Sequence, residues 1–169
     1  HIPVHHTNEI AQSEAALGKK PWVKYWLHNE FLVLGKEKMA KSGDNFITLS
    51  TLTEKGFDAL DYRYFCLGTH YRMPLMFSLE AMEGAQNAHK KLLEKVLELK
   101  KVKKNEPTNE DLVEEYLNQF TEQVNDDLNT SQALATLWGM LKDEGLNAKE
   151  KYALLLKFDA VLGLDLNKV

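Results

Sequence analysis

Two lysines three residues apart, Lys38 and Lys41, stand in the fragment KEKMAKSGDNF, Lys36 to Phe46. Met39 and Ala40 lie between them, and Ser42, Gly43 and Asn45 follow. Ammonium groups on a flexible backbone suit a polyphosphate whose charge shifts during a reaction. A loop that closes on departing phosphates stabilises the transition state more than the ground state. The pattern is not that of a P-loop, which sets a glycine-rich turn before Gly-Lys-Ser/Thr. A solvated surface turn uses the same residues, so the fragment alone admits both readings.

A second constellation lies at the start, HIPVHHTNEI. His5 and Glu9 are four apart, which on a helix puts an imidazole and a carboxylate on one face. Both are acceptable zinc ligands, but a structural zinc takes four, and a surface contact explains the same pair. The lone cysteine, Cys66, sits among Tyr64, Phe65 and Leu67, where a small buried thiol is the plain reading.

These residues need elements to hold them. Asn8 to Leu17 reads as a helix stopped by Gly18, with Pro21 beyond. Trp22 to His28 reads as a strand, because aromatic and β-branched residues dominate. Phe31 to Leu34 reads as a second strand closed by Gly35, and the lysine loop follows it. Thr51 and Glu54 suggest a capping box for a short helix. Asp58 caps another helix, to Gly68. After Pro74 almost everything reads as amphipathic helix. Ser78 caps a long one running to about Lys104, and Asn105, Pro107 and Asn109 break it. Further helices are expected over Glu110–Val124, from a Thr130 cap to Gly145, and from an Asn147 cap to Gly163. Short connections favour an antiparallel bundle. Trp138, Tyr116 and Phe120 fall at core spacing.

The chain has 169 residues, 44% hydrophobic and 27% charged, with net charge −4. That is long enough for one or two domains with a real core. An acidic balance excludes a surface built throughout for nucleic acid and leaves local patches. Residues 90 to 104 supply one, seven lysines against two glutamates. It reads either as a phosphate-contacting stripe or as a solvated helix face. One cysteine excludes an internal disulfide and fits a reducing compartment. No apolar run is long enough to span a membrane, and no signal-peptide pattern is present. The opening without methionine reads as a piece cut from a longer protein.

Taken in order, several segments resemble the cysteinyl-tRNA synthetases, a family of class I aminoacyl-tRNA synthetases. HHTNEIAQSEA is similar to the family's HHENEIAQSEA, and WLHN to its WMHNG, with Glu30 in place of the glycine. EKMAKSGDNF resembles EKMSKSLGNF; RYF and THYR resemble RYFLLS-HYR; DDLNTSQALATL resembles DDFNTPEALA; VLGL fits as well. The likeness covers nearly the whole chain.

The resemblance implies a mainly α fold: the C-terminal remnant of a Rossmann-type α/β catalytic domain, residues 1–74, followed by an antiparallel helical, anticodon-binding-like domain, residues 75–169. It implies that Lys38 and Lys41 are catalytic at the phosphates of ATP, Lys41 above all, with Met39, Ser42 and His28 also at the nucleotide. Ala40 replaces the family's serine, removing a hydroxyl worth about 0.5–1.5 kcal/mol while keeping the charges. His5 and Glu9 become zinc ligands, the other two being cysteines that fall before residue 1, as does the HIGH motif. The substrate thiolate binds the zinc directly, and a serine hydroxyl binds poorly, so serine is rejected without editing. The implied parent joins L-cysteine and Mg2+-ATP to an adenylate and passes cysteine to tRNA(Cys) in the cytoplasm. The isolated piece is expected to be inactive. Two alternatives stay open: the related cysteine ligase of mycothiol synthesis, and a non-catalytic RNA-binding module.

Overall fold

A computed structural model describes residues 2–34, 47–102 and 107–169 in full, and residues 37 and 38 in their backbone. The chain is mainly helical. A π-helical turn, Ile2–His6, runs into helix α1, Thr7–Leu17, which Gly18 ends in the left-handed conformation. Strand β1, Leu32–Leu34, pairs antiparallel with β2, Glu37–Lys38, so Val33 faces Lys38 and Leu34 faces Glu37. The antiparallel pairing therefore reaches the first of the two lysines, Lys38.

Helices α2, Leu49–Glu54, and α3, Ala59–Leu67, then cross over to β3, Leu75–Phe77. That strand pairs parallel with β1 in the register Leu32↔Leu75, Val33↔Met76 and Leu34↔Phe77, giving the order β2-β1-β3. Parallel neighbours require such a crossover, and here two helices supply it. A small core lies on this sheet: Leu52, Phe57, Phe77 and Met82 are buried, with Leu32, Leu34, Ile47, Tyr62 and Phe65 against them.

The remaining helices are α4, Leu79–Lys101, α5, Glu110–Asn125, α6, Thr130–Lys142, and α7, Ala148–Leu162. Short loops join α5, α6 and α7, so these pack antiparallel around the main core, and α7 also lies on α4. Leu92, Val96, Leu137, Met140, Leu154, Leu155, Phe158 and Leu162 are wholly buried there. Phe120 stacks on Phe158 at 4.0 Å between ring centres. Trp138 and Tyr116 are half-buried against the same core, and the Trp138 indole donates to the Tyr64 hydroxyl at 2.9 Å.

The caps explain where these helices begin. Asp58 accepts from the Leu60 N–H, and the Asp61 carboxylate accepts from the Asp58 N–H, closing a capping box. Ser78 accepts from the Ala81 N–H at 3.1 Å. Asn147 and Glu150 form a second box.

Several expectations are corrected. Trp22–His28 is not a strand. Strand propensity reflects fit to a half-buried pleated surface, and this segment has none: Tyr25 is 88% exposed and Leu27 66%. Helix α2 starts earlier than expected, because Thr48 and not Thr51 is its cap; the Thr48 hydroxyl accepts from the Thr51 N–H. Helix α6 is capped by Asn129, one residue before Thr130. It ends at Lys142 rather than at Gly145. The first stretch after Pro74 is strand β3, not helix.

Candidate functional site

Most of the lysine fragment falls outside the described residues: Met39, Lys41 and Ser42 are not described, and Lys38 is described in its backbone alone. What positions it is clear on both sides. It leaves the sheet through β2, and the chain returns at Ile47 to the small core, one residue before the Thr48 cap.

His28 is half-buried in an aromatic stack. Its Nε2 lies 2.7 Å from Nδ1 of His6, one of the two donating to the other. The His6 ring stacks on Trp26 at 4.8 Å, and Trp26 lies parallel to His28 at 6.2 Å. The structure thus joins the segment before β1 to the first turn of the chain through two imidazoles and an indole. His5 lies in the π-helical turn and Glu9 in the first turn of α1; both are exposed. Among the described residues, no group of three or more His, Cys, Asp or Glu side chains could hold a metal. His5 and Glu9 supply at most two of the four donors that a zinc site takes, so the described residues by themselves do not fit one.

A groove of about 360 Å³ opens beside this segment, lined in part by Asn29, Glu30, Tyr62, Cys66, His70 and Leu128. Cys66 is half-buried, and burial pushes its thiol up, against the lowering influence of Tyr62 and then Arg63. That describes an inert packing thiol rather than a nucleophile.

At the groove's edge, residues of two motifs that lie far apart in the sequence come together. The Asp127 carboxylate accepts from the Tyr71 hydroxyl at 2.6 Å and pairs with Arg72 Nε at 2.6 Å. His70 Nε2 stands 4.0 Å away. The Tyr71 hydrogen bond and the Arg72 guanidinium hold the Asp127 carboxyl below the usual carboxylate range. Asp127 and Leu128 both adopt left-handed backbone, with φ of 53° and 57°. The opposite charges of the two motifs are the only signal in the sequence, and they specify no pairing.

A third cluster is buried. His89 Nδ1 and Asp61 Oδ1 are 2.8 Å apart, and the other Asp61 oxygen accepts from Gln86 Nε2 at 3.0 Å and from the Asp58 N–H. His89 Nε2 has no partner among the described residues. A cavity of about 700 Å³ lies alongside, between α3, α4 and the C-terminal turn. Nothing in the sequence singles out this pair, since neither residue belongs to a recognisable motif.

Residues 2–87 match the family model described as the class I (C) tRNA synthetase catalytic domain, and residues 119–167 match the DALR domain. The chain belongs to the cysteinyl-tRNA synthetase family. The cysteine–tRNA ligase of Treponema denticola is 43% identical over 98% of this chain and 37% of its own length. That of Borrelia turicatae is 41% identical over 99% of the chain and 37% of its own length. Cysteine–tRNA ligase 1 of Burkholderia lata is 40% identical over 99% of the chain and 34% of its own length. The chain therefore spans little more than a third of the length of these relatives. No helix among the described residues is long and apolar enough to cross a membrane.

Proposed function

We propose that the gene product carrying this chain activates L-cysteine with Mg2+-ATP and transfers it to tRNA(Cys), in the cytoplasm. The observation that carries this reading is the match to cysteine–tRNA ligases across nearly the whole chain, through both the sheet and the helices. The division we propose gives residues 1–74 to adenylate chemistry and residues 75–169 to contact with the tRNA.

In adenylate formation the cysteine carboxylate attacks the α-phosphorus of ATP in line. The bond to the bridging oxygen breaks, and pyrophosphate leaves with the electron pair. Lys38 and Lys41 meet the charge growing on the departing phosphates, where preorganised cations act most strongly. Met39, Ser42 and His28 line the nucleotide, and the packing of His28 against His6 and Trp26 fixes its ring. Zinc belongs to the proposal only as an ion that His5 and Glu9 share with donors from elsewhere in the gene product. No step is assigned to it.

The test is cysteine-dependent ATP–pyrophosphate exchange on the full-length gene product, with serine as control. Exchange with cysteine alone is expected, and Lys41→Ala is expected to lower it by about 10²–10³-fold, as for loss of a transition-state donor. The 169 residues alone are expected to give none. A folded full-length protein that gives no exchange overturns the reading.

A further inference from the structure

Tyr71 is bonded in two directions. Its hydroxyl donates to Asp127 in the α5–α6 loop, while its carbonyl accepts from the Glu30 N–H at 2.8 Å. One residue further, the Phe31 carbonyl accepts from the Leu75 N–H at 2.9 Å, fixing the start of the β1–β3 pairing. From there β1 leads through β2 into the lysine fragment. Tyr71 thus ties the α5–α6 loop of the helical body to the segment that leads through β1 toward the lysine fragment.

The far end of this tie is built for the purpose. Asp127 and Leu128 are consecutive residues with β-carbons in left-handed backbone, a conformation that such residues rarely adopt. It turns the Asp127 carboxylate toward the 70–72 segment, where Tyr71, Nε and Nη2 of Arg72 and, more distantly, His70 meet it. Arg72 Nε also donates to the Tyr71 hydroxyl at 3.0 Å, and its guanidinium lies 5.4 Å above the Tyr71 ring. Strained backbone persists where its surroundings over-determine it, and it marks functional positions. The cluster is exposed, with Asp127 46% accessible in its side chain. An exposed ion pair contributes little to folding, so stability does not account for it.

We infer that the Tyr71–Asp127 contact is a positioning device that sets the helical body against the strand leading into the lysine fragment, and that it governs transfer to RNA rather than adenylate formation. The inference rests on the proposed function. Cysteine and ATP are small enough to be held by one body. An RNA that touches both bodies presents its end to the reacting centre only if their mutual angle is fixed, and small misplacements are costly to rate.

The experiment uses the full-length gene product with Tyr71→Phe, Asp127→Ala and Asp127→Asn. Pyrophosphate exchange and tRNA charging are measured on each. Exchange is expected to stay within about twofold while kcat/KM for charging falls about tenfold in Tyr71→Phe and Asp127→Ala, within the usual range of coupling between sites. Asp127→Asn, whose amide still accepts from Tyr71 and tolerates left-handed backbone, recovers much of the loss. The double variant, Tyr71→Phe together with Asp127→Ala, is expected to be no worse than Asp127→Ala alone, since both remove one interaction. Unchanged charging in an active protein overturns this inference alone. So does a parallel fall of exchange and charging. A wild-type protein without cysteine-dependent exchange overturns the proposed function, and this inference with it.

Discussion

Glu150 and Asn109 lie 41 residues apart, and the Glu150 carboxylate accepts from the Asn109 backbone N–H. Its other oxygen accepts from the Asn147 N–H at 2.7 Å. One side chain, 6% exposed, therefore serves the first turns of both α5 and α7. Each N–H is an orphan donor that an apolar replacement leaves unmet.

Glu150→Ala is accordingly expected to destabilise the protein by about 2–3 kcal/mol, more than loss of a single cap. Glu150→Gln keeps an acceptor for one of the two donors and is expected to cost about half as much. Urea denaturation followed by circular dichroism measures both. A cost for Glu150→Ala no larger than that of an ordinary surface substitution contradicts the double-cap account.

Gly163 and Gly18 end their helices with nearly the same left-handed backbone, φ of 64° and 62°. Their surroundings differ. A β-carbon on Gly18 meets nothing within 4 Å, whereas one on Gly163 lies 2.8 Å from Arg63 Nη2 and 3.0 Å from Arg63 Cζ. That guanidinium is not free to swing away without loss, because its Nε donates to the Leu162 carbonyl. Gly18→Ala is expected to cost about 1 kcal/mol from backbone alone. Gly163→Ala is expected to cost about 1 kcal/mol more, from the lost hydrogen bond. Thermal melts of the two variants side by side decide it, and equal losses would show that Arg63 gives way.

The buried Asp61 accepts from His89, Gln86 and the Asp58 N–H. Asp61→Ala leaves the His89 and Asp58 donors without their acceptor, while Gln86 keeps its bond to the Gly56 carbonyl, and is expected to cost about 2–4 kcal/mol. His89→Phe keeps the stacking on Tyr64, whose ring is 5.8 Å away. It removes one donor to Asp61 together with the unpartnered Nε2, so a smaller loss is expected. Chemical denaturation that ranks His89→Phe as the more damaging would overturn this ordering.

Burial first, then the hydrogen bond to Asp143, pushes the Tyr116 hydroxyl up to about 12. The folded value lies above the unfolded one, near 10. The contribution to stability is therefore complete below about pH 10 and is lost as pH rises from about 10 to about 12. Its partner behaves oppositely. Tyr116, and then the Gly145 N–H, hold the Asp143 carboxyl below its ordinary range, so that contribution is present above the unfolded carboxylate value and disappears in acid. Tyr116→Phe is expected to flatten the alkaline side of the stability profile and to weaken the acid side. Melting temperatures across pH, with tyrosinate absorbance as a second probe, check both limbs. Tyr62, pushed up to about 12 chiefly by burial, sets a floor to the flattening.

The bundle is readable from sequence because its signals are local. Asn147 followed three residues later by Glu150, and Gly163 at the far end, mark α7 without any knowledge of the rest of the fold. Asp58 and Ser78 do the same for α3 and α4. Where two cap-forming residues stand close together, as at Asn129 and Thr130 or Thr48 and Thr51, composition does not rank them. Non-local partners decide the failures. Trp22–His28 has the residues of a strand, but Trp26 stacks on His6 and Trp22 meets Trp26 edge-on instead of joining the sheet. Leu75–Phe77 is strand only because β1 lies beside it. At the candidate site, His28 is legible as a residue but its contact with His6 is not, and the Tyr71–Asp127 pair joins positions 56 residues apart. Such pairings leave no trace in spacing.

Helix α4 begins directly after β3, and Met82 near its start belongs to the small core while Leu92 and Val96 belong to the large one. Helix α3 is shared in the same way, Phe65 facing the sheet and Tyr64 the bundle. The two cores thus share α3 and α4 as common walls. Melting is therefore expected to be a single cooperative event, in which a substitution such as Met82→Ala beside the sheet lowers the transition of the whole chain instead of releasing one half early.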